Sequence, residues 1–157
     1  MASKSKGAAD LPGFFSDLVR CETRLYNALN DRLRDRHGIV TSQYEALRFL
    51  RDRPAARVAD VAAEFAIGIG ASSKIIDRLE RRGWVARRPN PADRRSSLVE
   101  LTGDGARLAD AAEATFTEGL AELLAGALDG EAGATVARVM ADLRAALERD
   151  QVGLPTG

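Results

Sequence analysis

The run from Gly70 to Thr102 restricts what this chain can fold into more than any other part of it. It opens on small residues, Gly70-Ala71-Ser72-Ser73, continues Lys74-Ile75-Ile76-Asp77-Arg78-Leu79-Glu80-Arg81-Arg82, and stops at Gly83. Ile75, Ile76 and Leu79 fall on one side of a helix, and Ser73, Lys74, Asp77, Arg78 and Arg81 on the other. Gly83 is suited to end it, because glycine enters the left-handed conformation at little cost. Trp84 and Val85 then start one strand, and Leu98, Val99 and Leu101 belong to a second. Between them Pro89-Asn90-Pro91 and Asp93-Arg94-Arg95 form a turn-rich, basic tip.

Charge sharpens the picture. The 157 residues carry no net charge, which alone argues against a polyanionic partner. The distribution argues for one: Gly70 to Arg95 holds eight basic and three acidic residues, whereas Glu100 to Asp150 holds four basic and eleven acidic. One face is therefore suited to a nucleic acid and another is not. A basic helix leading into an arginine-tipped hairpin predicts a winged helix-turn-helix, with the helix for the major groove of duplex DNA and the wing for the adjacent minor groove.

The same residues resemble the MarR family of transcription regulators. Asp93-x-Arg95 followed by Leu101-Thr102 is similar to that family's wing signature, and Asp77-Arg78-Leu79, Gly83-Trp84-Val85, Pro89-Asn90-Pro91 and the Leu101-Thr102-x-x-Gly105 close resemble its surroundings. The resemblance implies a mainly α protein with a small β wing, in which N- and C-terminal helices join two copies as a homodimer. It also implies a roughly palindromic operator, with half-sites about one helical turn (~10 bp) apart. A small-molecule effector would bind between the dimer helices and the winged domain, a phenolic or aromatic acid being one candidate.

The rest of the chain fits around this unit. Residues 1–10 read as a disordered tail and 11–150 as one domain, with the winged part about 40–103 and dimerisation helices about 11–37 and 104–150. Leu11, Phe14, Phe15, Leu18, Leu25, Tyr26, Leu29 and Leu33 recur at helical spacing, and His37-Gly38 ends that helix. The alternating charges Asp31, Arg32, Arg34, Asp35 and Arg36 read as a solvated face. Ser42-x-x-Glu45 reads as a capping box, with Thr41 as the alternative cap, and the helix it opens stops before Pro54. Val58 is expected in a short strand supporting the wing, ahead of a short helix and the Ala66–Gly70 turn. A helix from Thr102 to about Leu128 contains Gly119 and Gly126 as bends or close approaches. The last helix runs from about Glu131 to Arg149, with Val136, Val139, Met140, Leu143 and Leu147 inside. The first and last two helices carry more apolar surface than one small winged domain covers, which itself favours pairing with an identical chain.

Candidate DNA-binding residues are Ser42, Gln43, Ser73, Lys74, Asp77, Arg78, Arg87, Arg94 and Arg95. Lys74 and Arg78 have the donors for guanine O6 and N7 or for phosphates, and Ser73 for a phosphate or base edge. Asp77 accepts from cytosine or orients Arg78; the competing reading of this face is solvated intrahelical pairs. Arg95 takes the place of the wing arginine in the resemblance, and Asp93 holds either it or the turn. Arg87 and Arg88 alternate along a strand, so at most one faces DNA squarely. Ser42 and Gln43 either donate to phosphate or simply cap. Trp84 fits a core position better than a stacking one. Cys21 is read either as a redox sensor, as in some MarR relatives, or as an inert helical thiol.

Other classes find little support. No apolar run approaches the ~20 residues of a membrane span, and the start of the chain lacks a signal-peptide core. The single cysteine fits a reducing, cytoplasmic setting. One His and one Cys give no metal cluster, no cofactor motif is present, and no nucleophile–base pair points to an enzyme. The remaining alternative is an architectural or sequence-tolerant DNA binder without a ligand, which would share the basic stretch.

Overall fold

A computed structural model describes residues 10–155. The elements are α1 (Leu11–His37), α2 (Thr41–Asp52), β1 (Ala56–Arg57), α3 (Val58–Glu64), α4 (Ile69–Arg81), β2 (Val85–Pro89), β3 (Ser97–Leu101), α5 (Gly103–Leu124) and α6 (Gly130–Arg149). The fold is mainly helical with one small antiparallel sheet of order β1-β3-β2. Ala56 stands opposite Val99, and Val85, Arg87 and Pro89 stand opposite Leu101, Val99 and Ser97. Pro89 lacks an N–H, which an edge strand such as β2 tolerates.

The core lies where α2, α4, α5 and the sheet meet. Leu33, Ile39, Leu47, Val61, Ile76, Leu79, Val99, Ala109 and Ala112 are all fully buried there. Full burial of side chains such as Leu or Ile stabilises by about 1.5–3 kcal/mol each. The Tyr44 ring packs on Phe116 at 4.6 Å between centroids, tying α2 to α5. Helices α1 and α5 approach closely at Gly119, where a Cβ would lie 2.9 Å from Leu29 Cδ2. That bears out Gly119 as a close approach. Gly126, by contrast, lies past the end of α5 with φ +78°, in the link to α6; α5 ends at Leu124, about four residues before the end that the periodicity predicts.

Other boundaries differ in informative ways. Asp10, read as part of the tail, is the N-cap of α1: its side chain accepts from the Gly13 amide at 3.0 Å. The reading of residues 1–9 lies outside the described residues. Helix α2 begins at Thr41, so neither Ser42 nor Thr41 is its cap. Val40 takes that position, and its N–H donates to the Gln43 side chain at 3.0 Å. The strand supporting the wing is Ala56–Arg57, and Val58 already starts α3.

The charges near the end of α1 are not simply solvated. Arg32 and Arg36 pair with Glu122 and Glu118 of α5. From α2, Arg51 reaches Asp110 at 3.0 Å and Glu113 at 2.7 Å. Part of the acidic excess of the C-terminal third thus lines up as a row of anchors for arginines of the first two helices. His37 does not act through its side chain as a cap: Gly38 adopts φ +66° to end α1, and the imidazole Nε2 lies 2.8 Å from Thr115 Oγ1.

Helix α6 buries no residue. Val136, Val139, Leu143 and Leu147, expected inside, are exposed, as are Leu11, Phe14, Phe15 and Val19 of α1. No described helix is long and apolar enough to cross a membrane.

Candidate nucleic-acid interface

Helix α4 is held by its buried side. Ile76 and Leu79 are fully buried, and Ser72, also buried, donates from Oγ to the Val58 carbonyl at 3.1 Å. This fixes α4 against the start of α3 and settles which face remains outside. Lys74, Asp77, Arg78 and Arg81 are exposed on it, and Ser73 is half-buried beside them. The amphipathic reading of the sequence therefore corresponds to the real orientation.

The wing tip is a hydrogen-bonded turn. The Arg95 amide donates to Asp93 Oδ1 at 2.9 Å, and the Ser96 amide to the Asp93 carbonyl at 3.2 Å. Asn90 accepts from the Ala92 amide at 3.0 Å and donates from Nδ2 to Ser96 Oγ at 2.9 Å. Of the two roles open to Asp93, the structure has the turn-holding one: it grips the backbone of Arg95, not its guanidinium. Arg94 and Arg95 are exposed.

The ion pairs divide the arginines into two groups. Arg32, Arg36, Arg48, Arg51, Arg53 and Arg57 each face a carboxylate. Lys74, Arg78, Arg81, Arg82, Arg94 and Arg95 have no such partner among the described residues, and all six are exposed. Arg20 and Arg24 of α1 and Arg138 of α6 are likewise exposed without a carboxylate partner among the described residues, but the six on α4, the residue after it and the wing tip lie within one stretch of 22 residues, a local concentration that attracts phosphates.

Arg87 behaves differently from its neighbours. Its guanidinium is 2.6 Å from Asp77 and also bonded to Glu80, and its side chain is only 24% exposed. Burial works against its charge, but the bonds to Asp77 and Glu80 outweigh that and raise its pKa. Asp77 is thus engaged with Arg87 rather than orienting Arg78. Arg88 pairs with Glu100 across the hairpin. Strand alternation places Arg87 and Arg88 on opposite faces, but the acidic partners of Arg87 lie on a different element, beyond the reach of strand periodicity.

Two residues absent from the sequence-based candidates join this surface. Arg81 and Arg82 line a shallow cleft with Arg78 and Gln43. The Arg82 guanidinium stacks on Trp84 at 4.6 Å from the ring centroid, which restrains it. Trp84 itself is half-buried against the core. The Arg81-Arg82 doublet beside Gly83 carries this signal in the sequence, but at the helix end, where periodicity no longer assigns a face. Ser42 and Gln43 are half-buried at the start of α2, with Gln43 occupied in capping. Cys21 is exposed on α1.

Away from this surface, a groove of about 590 Å³ runs between α1, α3 and α6, lined by Leu18, Phe65, Met140, Leu143 and Leu147 among others. An adjoining, more polar cleft carries Glu45, Arg48 and Phe49 of α2. Burial raises the pKa of Glu45, with Arg48 opposing.

Residues 40–97 match the model of the MarR family. The multiple antibiotic resistance protein MarR of Salmonella typhimurium is 30% identical over 111 residues, 67% of this chain and 75% of that protein. Among solved structures, a mutant MarR from E. coli complexed with operator DNA is similar at 26% identity and a TM-score of 0.72, covering 86% of this chain and 99% of that one. CouR from Rhodococcus jostii, bound to p-coumaroyl-CoA, is also 26% identical with a TM-score of 0.72, covering 92% and 96%.

Proposed function

Because this chain belongs to the MarR family of transcription regulators, we propose that it is a repressor that binds a palindromic operator as a homodimer and is released by a small-molecule effector. The observation that carries the DNA-binding part is the set of six exposed cations without carboxylate partners on α4, beside it and at the wing tip. Lys74 and Arg78, with Ser73, read base edges in the major groove, and Arg94 and Arg95 reach the neighbouring minor groove or its phosphates. Arg81, Arg82, Ser42 and Gln43 flank them toward the backbone. The similar E. coli protein was solved in complex with operator DNA, which supports duplex DNA as the partner.

Dimerisation is supported by the bare apolar sides of α1 and α6. Leu11, Phe14, Phe15, Val19, Val136 and Val139 are all exposed in the single chain, and a second copy is the partner that would cover both helices at once. The effector site is the groove between α1, α3 and α6. Its apolar lining suits an aromatic body, and the aromatic thioester bound by CouR supports that class. An effector there would act by preferring a spacing of the two α4 helices that does not match the half-sites, and DNA would weaken effector binding by the same factor.

The test is selection of binding sites from random duplex DNA by the purified protein, repeated with small aromatic acids and their thioesters. A two-fold symmetric consensus lost in the presence of one of them supports the whole reading. Recovery of sequences with no consensus favours an architectural binder, and no retained DNA refutes the assignment of the face.

A further inference from the structure

We propose that Arg87 is a positioning residue rather than a DNA contact: it latches the wing to the recognition helix at the angle that two adjacent grooves require. The inference rests on the reading of α4 and the wing as the DNA-binding face.

Asp77 and Glu80 are three residues apart on α4, so both carboxylates project from one side of that helix. Arg87 stands at the middle of β2, opposite Val99. Its planar guanidinium bridges the two acids, with Nη2 at 2.6 Å from Asp77 and Nη1 bonded to Glu80. The Arg87 amide also points at Glu80, at 3.4 Å. Because β2 is an outer strand of the sheet, that amide is free to face α4. One arginine therefore joins helix to hairpin through side chain and main chain together. A lysine cannot span two carboxylates in this way, since it offers a point charge rather than a fork.

The chemistry argues against a role for Arg87 as a phosphate ligand. Its positive charge already faces two negative ones, and it is the least exposed of the charged residues in this cluster, at 24% against 52% for Asp77 and 41% for Glu80. A phosphate would have to displace both acids. The acids, for their part, put negative charge on a face otherwise arranged for a polyanion. Their presence costs DNA attraction, and the latch supplies what offsets it: the hairpin is ordered before binding, so less conformational freedom is lost when Arg94 and Arg95 engage.

The two readings predict opposite signs. The variants Arg87→Met, Asp77→Asn/Glu80→Gln and the triple substitution are prepared in the full-length protein. Affinity is measured for the selected operator and for an unrelated duplex over a range of salt, with the active fraction and thermal midpoint of each variant. With a latch, neutralising the acids weakens operator binding roughly ten-fold although the protein becomes more positive. Arg87→Met weakens it by a similar factor, and the triple variant is no worse than either. The salt dependence and the affinity for unrelated DNA stay near those of the unmodified chain. Arg87→Lys, which keeps the charge and one carboxylate contact, recovers part of the loss and serves as the probe should Arg87→Met fold poorly.

The proposal is overturned if neutralising the acids tightens binding and steepens the salt dependence, or if Arg87→Met lowers the salt slope by about one; either result makes Arg87 a phosphate contact. Unchanged operator affinity in all variants overturns it as well. If the unmodified protein itself fails to bind duplex DNA, the fault lies with the assignment of the face and not with the latch.

Discussion

Gly105 sits directly against the main chain of Trp84: a Cβ on Gly105 would lie 1.9 Å from the Trp84 carbonyl oxygen. That oxygen accepts the Thr102 amide at 3.0 Å, while Thr102 Oγ1 donates to the Gly83 carbonyl at 2.6 Å and accepts the Gly105 amide at 3.1 Å. The close of the wing and the start of α5 are one hydrogen-bonded knot. Gly105→Ala must therefore move backbone, not just a flexible side chain. We expect a loss of about 3 kcal/mol or more, read as a lowered denaturation midpoint in urea, whereas Gly103→Ala, at an exposed position with only the Arg107 guanidinium near, is tolerated.

That knot shows what could be read in the sequence. The Leu-Thr-x-x-Gly spacing marks a handover from strand to helix, but not that its glycine is required by contact with a residue 21 positions earlier. The same holds elsewhere. Ile76 and Leu79 declared the buried face of α4 because helical periodicity is local. Arg32 and Arg36 read as solvated because their acids on α5 lie more than 80 residues away. The basic surface was legible as composition; which of its arginines are already neutralised was not, since Arg87 meets its acids only after the hairpin folds back on α4. Val40 as the cap of α2 was hidden for another reason: a valine has no capping oxygen, and the reciprocal Gln43 bond to its amide does the work alone.

The Arg51–Glu113 pair predicts acid sensitivity. The hydrogen bond from Arg51 holds Glu113 below the ordinary carboxylate range, against a smaller opposing effect of burial. A depressed folded-state pKa means stability that is present above the unfolded value of 4.5 and lost as pH falls through the folded one. Denaturation midpoints should drop as the pH falls below about 4.5. Glu113→Gln should flatten that limb and cost up to about 1 kcal/mol at neutral pH, a modest figure because the pair is partly exposed. An acid limb identical in the variant would show that Glu113 takes no part in it.

Surface left bare by one chain sets the next expectation. Phe15 and Val139 are 65% and 54% exposed. If identical chains meet through α1 and α6, Phe15→Glu/Val139→Glu places charge in an apolar interface and shifts the sedimentation mass from dimer to monomer. Operator affinity then falls steeply, because each half-site is held alone. An unmodified protein sedimenting at the monomer mass at micromolar concentration would refute the dimer.

Arg78 and Arg95 should fail in different ways. Neither guanidinium has a carboxylate partner among the described residues, so replacing either by alanine should leave the thermal midpoint within the small range usual for surface changes. Arg78 is exposed on α4, facing away from buried Ile76 and Leu79, and its loss should relax discrimination at one or two base pairs, about 1–3 kcal/mol if it makes a bidentate base contact. Arg95 is exposed at the turn tip, and under the proposed function it contacts the minor groove or phosphates, so Arg95→Ala should weaken operator and unrelated DNA more evenly and lower the salt slope by about one. Competition titrations against single-base operator variants, repeated at several salt concentrations, separate the two patterns. An Arg95→Ala protein with unaltered affinity would remove the wing from the interface, and an Arg78→Ala protein with unaltered base preference would leave α4 a backbone contact only.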